Sequence, residues 1–343
     1  MSNCRLINIF LLVLTCFITL FADAKSIYPI TNLEQTPWSP YLLTTVDRND
    51  GSLIDVYIIK STGENKPTLI GLQGSHCLPL FMMNEKRRVS PLMFQSELER
   101  ASNQANIIVI EKRGLKSFGP PPSTEEEANV LAKCTELHGG VTKDTRVSDV
   151  VRVIKALSKT KWSGPIHIVG HSEGADVATG VVRSLNGKIV KSIGLMSGAG
   201  NTRFFEYLSI ARNQAGALGV AQVLNEQIKI TSNNPPVEYR GAPVSRDITY
   251  AIDSSPLDDV KGLRIPIFVA SVDRDSHSSI AGAEVFVSEL LRDKKQKIHY
   301  LMLPGLDHGY FTADGKDESG PVFSYYLNWI VNGVFDRSIK VGL

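Results

Sequence analysis

The chain has 343 residues and a formal net charge of +2 at pH 7. Its apolar fraction of 43% and charged fraction of 21% are ordinary for a soluble globular protein. The 37 basic residues are scattered along the chain, which argues against nucleic acid as a partner. No cluster with metal-ligand spacing is visible, so we expect neither a metal nor an organic cofactor. The length allows one large α/β domain or two smaller ones.

The first 24 residues have the pattern of an export signal. Arg5 supplies an early positive charge, residues 7–21 are apolar, and Ala22-Asp23-Ala24 offers small residues at a cleavage site. We predict cleavage after Ala24 and a periplasmic or secreted mature chain, residues 25–343. The apolar stretch is shorter than the roughly 20 residues of a membrane span, although an uncleaved anchor is the alternative. No later apolar run is long enough to span a bilayer.

Strand-like and helix-like segments alternate along the mature chain, which predicts one domain with a mainly parallel sheet and helices on both faces. Residues 53–60 alternate in polarity and are expected to form an antiparallel lead-in strand. The other predicted strands are short β-prone segments: 68–72, 105–110, 166–169, 189–196, 265–272 and 297–303. The predicted helices are 91–101, 144–157, 175–185, 280–291 and 323–334.

Two segments do not fit this alternation. Residues 116–141 contain Pro120-Pro121-Pro122 and then a capped acidic helix start, so we expect an insertion at the rim of the sheet. Residues 203–253 contain two predicted helices, 204–214 and 217–231, followed by a proline-containing loop. Because this segment is too small to bury a core of its own, we expect a lid over the site.

Residues 166–175 read IHIVGHSEGA and place Ser172 in the pattern Gly-x-Ser-x-Gly, between a predicted strand and a predicted helix. Such a turn strains the serine backbone and projects Oγ above the sheet, while Gly170 and Gly174 leave room for neighbouring backbone. We therefore predict that Ser172 is a nucleophile. The alternative is an ordinary glycine-rich turn.

A serine nucleophile needs a base and a carboxylate that orients this base. Among seven histidines, His308 follows the final predicted strand at the same edge of the sheet as Ser172, and we predict that it is the base. The acid is expected after the preceding strand, in the order Ser, acid, His. Asp275 and Asp273 both lie there. We favour Asp275, which is nine residues beyond Pro266 at the start of that strand.

Backbone donors must stabilise the oxyanion that forms when a serine attacks a carbonyl carbon. The N–H of Glu173, at the start of the nucleophile helix, is one expected donor. The other is expected in the loop after residues 68–72, where Ser75 follows Gly74. An ordinary turn is the alternative interpretation of that loop.

Together these motifs resemble the α/β-hydrolase family over nearly all of residues 40–335. The family's loop after its third strand often reads His-Gly, and here it reads Gln73-Gly74. Its next strand often ends in Asp-x-Arg-Gly, and here Glu111-Lys112-Arg113-Gly114 follows. This form is similar to a branch of prolyl-type aminopeptidases and small-molecule esterases, although Gly-His-Ser-Glu-Gly differs from the usual aminopeptidase elbow. The resemblance implies a mostly parallel sheet of eight strands, helices on both faces and a small helical lid.

Two cysteines, Cys77 and Cys134, remain after the predicted cleavage. An exported chain allows them to form one disulfide, which would join the oxyanion loop to the rim insertion. Two buried thiols are the alternative.

The sequence thus predicts an exported serine hydrolase that cleaves a small carboxylic ester through an acyl-enzyme. Phe204, Phe205 and Tyr207 of the predicted lid favour a partly apolar pocket. An aminopeptidase or amidase acting on small peptides is the alternative among enzymes, and glutamates of the lid or rim would then bind the substrate terminus. A non-catalytic binding protein that keeps the fold is the alternative from another class.

Overall fold

The computed structural model describes residues 27–342 except 77, 125–141, 231–237, 240–241, 244–254, 295–296, 334 and 336. The predicted export signal, Cys77 and Cys134 lie outside the described residues. So do most of the predicted rim insertion and most of residues 231–253 of the predicted lid.

The described strands and helices follow one another in a largely alternating order. The strands are β1 (Glu34–Gln35), β2 (Leu42–Asp47), β3 (Leu53–Ile59), β4 (Lys66–Leu72), β5 (Met82–Met83), β6 (Arg88–Val89), β7 (Asn106–Ile110), β8 (Ser163–His171), β9 (Val190–Met196), β10 (Glu238–Tyr239), β11 (Ala242–Pro243), β12 (Ile267–Val272), β13 (Ile298–Leu303) and β14 (Ser338–Val341). The helices are α1 (Gln95–Ala101), α2 (Lys143–Leu157), α3 (Glu173–Ser184), α4 (Arg203–Ile230), α5 (Pro256–Val260), α6 (Ile280–Arg292) and α7 (Ser319–Asn332).

Ten of the described strands form one sheet in the order β1-β2-β3-β7-β4-β8-β9-β12-β13-β14. The pairs from β1 to β7 are antiparallel, and every pair from β7 to β14 is parallel. The predicted mainly parallel sheet with an antiparallel lead-in strand is therefore confirmed. The expected number of eight strands is too small, because β1 and β14 lie at the two edges. β1 has only two residues, both exposed, and β14 exposes three of its four residues, so neither carries the buried apolar pattern of a core strand.

Side chains of successive residues enter two separate cores, one on each face of the sheet. Ile108 of β7 packs with the helix residues Val153 and Val181 on one face. On the other face, Ile107 packs with Leu98 and Phe323. Because helices cover both faces, all of β7 is buried, and after Asn106 its sequence is continuously apolar rather than alternating.

The long helix α4 corresponds to the two helices predicted for this part of the chain. Its backbone leaves helical geometry at Ala215 and at Gly216, where φ is 58°. Glycine adopts such a left-handed conformation without steric penalty, so the kink falls where the sequence separates the two predicted helices. Among the described residues, no helix is both long enough and apolar enough to cross a membrane.

The carboxyl ends of the parallel strands β4, β8, β12 and β13 lie at the same edge of the sheet, since parallel strands end together. The loops that follow them carry Ser75, Ser172, Asp275 and His308 in turn. Open α/β sheets bind their ligands at this edge.

Candidate active site

Ser172 lies between the end of β8 and the first residue of α3, with φ 54° and ψ −127°. A non-glycine residue in this region is strained by about 1–3 kcal/mol and persists only where its surroundings hold it. Here the Ser172 N–H donates to the carbonyl of Met196 (2.9 Å), and its own carbonyl accepts from the N–H of Ala175 (2.9 Å). The sharp turn expected from the sequence is therefore present.

Glycines around Ser172 allow this turn because backbone packs directly on backbone. A Cβ on Gly170 would lie 2.1 Å from the carbonyl oxygen of Gly174. A Cβ on Gly174 would lie 2.3 Å from the carbonyl oxygen of Leu72, at the end of β4. Larger residues at either position would push the elbow away from the strand beside it.

Asp275 and His308 form a hydrogen-bonded pair beside Ser172. His308 Nδ1 lies 2.8 Å from Asp275 Oδ2, and the Asp275 side chain is only 3% exposed. The other carboxylate oxygen, Oδ1, accepts the backbone N–H groups of His277 and Ser278, each at 2.8 Å. Because an ionised carboxylate can only accept, Nδ1 of a neutral His308 carries the proton, and Nε2 remains available to accept another.

The structure separates the two carboxylates that the sequence leaves as alternatives. Asp273 is exposed, and its Oδ1 accepts the backbone N–H of Gly305 at 2.7 Å. This bond links the end of β12 to the turn after β13. Of the two, Asp275 is the carboxylate that contacts His308.

His171 makes a contact that sequence reasoning missed. Its Nε2 lies 2.9 Å from the backbone oxygen of His308, a residue 137 positions away. Burial, with help from the neighbouring His308 charge, lowers the pKa of His171 to about 4. His171 is therefore neutral at pH 7 and donates to this carbonyl, which anchors the His308 loop to β8. Nothing in the local sequence indicates so distant a partner.

The loop 73–76, which follows β4, lies directly against the candidate nucleophile. A Cβ on Gly74 would lie 3.2 Å from Ser172 Cβ and 3.6 Å from Ser172 Oγ. Glu173 is the first residue of α3, and backbone N–H groups of a first helical turn have no partner within the helix. The two segments expected to supply oxyanion donors, Ser75 and Glu173, thus flank Ser172.

The carboxyl groups of Glu173 and Glu206 differ in ionisation. Burial alone would raise the pKa of Glu173, but the positive charges of Arg146, Lys112 and Arg203 hold it below its usual value. Glu173 Oε1 lies 2.5 Å from an Arg146 nitrogen. Burial raises the pKa of Glu206 to about 7, and its Oε2 accepts the backbone N–H of Ser279 at 3.0 Å.

A cavity of about 490 Å³ opens beside Ser172 and His308. Imidazole and apolar side chains share its lining, which includes His76, Pro91, Met93, His277 and Phe311. The expected apolar contribution of Phe204, Phe205 and Tyr207 is absent from the lining in the described part of the chain; these residues are half-buried in α4. The apolar surface comes from the segment before α1 and the loop after His308.

Asp275, His277 and His308 could together hold a metal ion, because one ligand atom from each lies within 4.8 Å of the others. Two imidazoles and a carboxylate are a donor set that Zn²⁺ accepts. These residues include the hydrogen-bonded pair described above, so an ion at this position would compete with that pairing.

The comparisons with known proteins place the fold. No protein-family model matches the chain, and no curated protein matches it in sequence. Est1E from Butyrivibrio proteoclasticus superposes with a TM-score of 0.54 at 13% identity, over 85% of this chain and 98% of that chain. A puromycin-hydrolyzing peptidase of Mycobacterium tuberculosis gives 0.54 at 17% identity, over 88% of this chain and 40% of that chain. The acylaminoacyl peptidase of Pyrococcus horikoshii gives 0.55 at 14% identity, over 92% and 44%.

This chain spans nearly all of Est1E but less than half of the two peptidases. These solved structures are α/β-hydrolase proteins. The predicted fold class is confirmed: the chain has the α/β-hydrolase fold.

Proposed function

We propose that this protein is an exported serine hydrolase that cleaves a small carboxylic ester through an acyl-enzyme. Ser172 Oγ attacks the carbonyl carbon while His308 Nε2 takes the hydroxyl proton and Asp275 orients the imidazole. The N–H groups of Ser75 and Glu173 stabilise the oxyanion. The C–O bond to the alcohol then breaks as His308 returns the proton, and water repeats the sequence to release the acid.

One observation carries the proposal: a strained serine and a paired Asp275–His308 lie at one edge of the sheet, and the serine and the histidine line one cavity. A buried carboxylate with three hydrogen bonds is preorganised to hold an imidazole in one tautomer. A cavity of about 490 Å³ lies within the range of small-molecule sites.

Two of the described carboxyl groups near the site are already engaged within the protein, whereas Asp307 lines the cavity and accepts two backbone N–H groups through Oδ1. An aminopeptidase needs a carboxylate that is free to bind the substrate ammonium group. Glu173 is paired with Arg146, and the buried carboxyl of Glu206 already accepts the N–H of Ser279. The two peptidase neighbours keep amide cleavage as the second candidate, and substrate preference separates the two.

The experiment uses the mature chain, a fluorophosphonate probe and p-nitrophenyl acetate. Wild type should be labelled and should hydrolyse the ester, whereas Ser172→Ala should lose both properties. Ser276→Ala is the matched control, because Ser276 is a second hydroxyl in the same cavity, and it should remain labelled. Labelling and hydrolysis that persist in Ser172→Ala would contradict the mechanism, and a complete lack of labelling in folded wild type would favour the binding-protein alternative. Comparison with an aminoacyl p-nitroanilide tests ester against amide preference.

Export is a separate part of the proposal and rests on residues 1–24. Amino-terminal sequencing of the protein from a producing cell should start at Lys25, the residue after Ala24. A chain that retains its first 24 residues would contradict cleavage.

A further inference from the structure

Two buried cations lie against the loop 73–76. Lys112 follows β7 and is 5% exposed, and Arg146 of α2 is 8% exposed. Lys112 Nζ donates to the carbonyl of Gly74 at 2.6 Å and also to the carbonyl of His76. Arg146 donates to the carbonyl of Gln73 at 2.5 Å and lies 3.4 Å from that of Gly74. Three carbonyls of one short loop therefore accept from buried cations.

The Lys112 contact determines which way the Ser75 N–H points. In a trans peptide the C=O and N–H bonds point in opposite directions. The carbonyl of Gly74 and the N–H of Ser75 belong to the same peptide, so Lys112 draws the carbonyl to one side and directs the N–H to the other. If this peptide rotated, a carbonyl oxygen would replace the donor and would repel an oxyanion.

Arg146 connects the two segments that carry the proposed donors. The same guanidinium that holds the carbonyl of Gln73 also contacts Glu173 Oε1 at 2.5 Å. A planar guanidinium offers five N–H donors in a fixed arrangement and can bridge several acceptors. Arg146 therefore links the start of α3 to the loop after β4.

Burial of these charges needs a reason beyond stability. Burial, and to a smaller extent the charge of Arg146, lowers the pKa of Lys112 to about 7, while Glu173 and Glu111 oppose this shift. A whole buried ion pair can often be replaced by apolar side chains without loss of stability, whereas removal of one partner alone is destabilising. Preorganised donors that face a developing negative charge contribute directly to rate.

We propose that Lys112 and Arg146 are positioning residues that hold the Ser75 and Glu173 backbone donors in the geometry of an oxyanion hole. This inference rests on the proposed serine-hydrolase function. Lys112 acts through the loop backbone that it binds, and Arg146 acts through that backbone and through the Glu173 carboxylate.

The test compares Lys112→Met with Lys143→Met on p-nitrophenyl acetate. Lys143, at the start of α2, is a matched buried cation that lies 2.9 Å from Asp259, and its side chain is 7% exposed. For Lys112→Met we expect kcat to fall about 10- to 100-fold with KM within threefold, somewhat less than the loss of an oxyanion donor itself. Lys143→Met should keep kcat within threefold once the folded fraction is taken into account. Arg146→Lys keeps the positive charge but loses the planar guanidinium that contacts both Gln73 and Glu173. This substitution should lower kcat at least fivefold.

A second readout distinguishes positioning from general damage to the fold. Phenylboronic acid forms a tetrahedral adduct on an active serine and mimics the oxyanion. Its affinity should fall in Lys112→Met by about the same factor as kcat, while circular dichroism stays that of wild type. If Lys112→Met does not fold, Lys112→Gln replaces it under the same thresholds, because the glutamine side chain is one atom shorter and holds its NH₂ group farther from the carbonyls of Gly74 and His76.

The outcomes separate this inference from the proposed function. A kcat of Lys112→Met within threefold of wild type overturns the inference, as does a loss carried by KM alone or an equal loss in Lys143→Met. If Ser172→Ala instead keeps wild-type activity, the proposed function itself fails.

Discussion

The substitution Asp275→Asn tests the candidate triad through one proton. Asp275 Oδ1 accepts two backbone N–H groups at 2.8 Å each, so an asparagine must place its amide oxygen there. Its NH₂ group then faces His308 Nδ1, where Oδ2 lies at 2.8 Å in wild type. Because that NH₂ group donates, Nδ1 must accept, and the ring proton moves to Nε2. His308 can then no longer take a proton from Ser172.

The wrong tautomer should lower kcat about 10⁴-fold, which corresponds to about 5 kcal/mol of activation free energy. The assay is hydrolysis of p-nitrophenyl acetate at pH 7.5, with thermal unfolding to show that the variant is folded. Asp273→Asn is the matched control. Its exposed Oδ1 only accepts the N–H of Gly305, an asparagine oxygen can do the same, and kcat should stay within threefold. A folded Asp275→Asn that keeps more than a tenth of wild-type kcat would refute this reasoning, as would an equal loss in Asp273→Asn.

Three further predictions concern metal binding, pH and packing. Micromolar Zn²⁺ should inhibit hydrolysis reversibly through His277 and His308, whose rings are 4.9 Å apart. His277→Ala should raise the half-inhibitory Zn²⁺ concentration at least tenfold, with inhibition measured relative to the metal-free rate of the same variant. Equal sensitivity of His277→Ala and wild type to Zn²⁺ would count against the site. Burial raises the pKa of Glu206 from 4.5 to about 7, so the folded state loses stability as the pH rises from about 4.5 through 7. At pH 8 the free energy of unfolding of Glu206→Gln should therefore exceed that of wild type by up to about 3 kcal/mol. A difference in Tm between the two proteins that does not change with pH would exclude this cause. A Cβ on Gly198 would lie 2.3 Å from the Ser172 carbonyl oxygen, so Gly198→Ala should lower the free energy of unfolding by about 1–3 kcal/mol and slow fluorophosphonate labelling. Gly119→Ala, with no atom within 4 Å of its Cβ, should change neither property, and similar behaviour of the two variants would disprove the packing argument.

Local patterns predicted the elements that carry the site. Continuous apolar runs such as Ile107 to Ile110 indicated strands covered on both faces, because such strands need no polar side. The glycines on either side of Ser172 indicated a turn with a strained serine, and the backbone there has φ 54°. The edge strands β1 and β14 escaped prediction because they are short and mostly exposed, so burial imposes no apolar pattern on them.

Other features depended on how separate strand ends meet. The spacing along β12 favoured Asp275 over Asp273, but the distance from His308 Nδ1 depends on the loop after β13. The support of the His308 backbone by His171 joins residues 137 positions apart. Lys112 follows β7 and Arg146 belongs to α2. No sequence motif connects either residue to the loop after β4.

The sequence by itself determined the parallel strands from β4 to β13, most of the helices that cover them, their order and the strained turn at Ser172, because polarity patterns and glycine positions act over a few neighbouring residues. Only the tertiary structure decided that Asp275 contacts His308, that His171 holds the His308 loop, and that Lys112 and Arg146 lie under the oxyanion loop. Those contacts require several strand ends to meet within a few ångströms, and packing across the whole sheet sets that alignment.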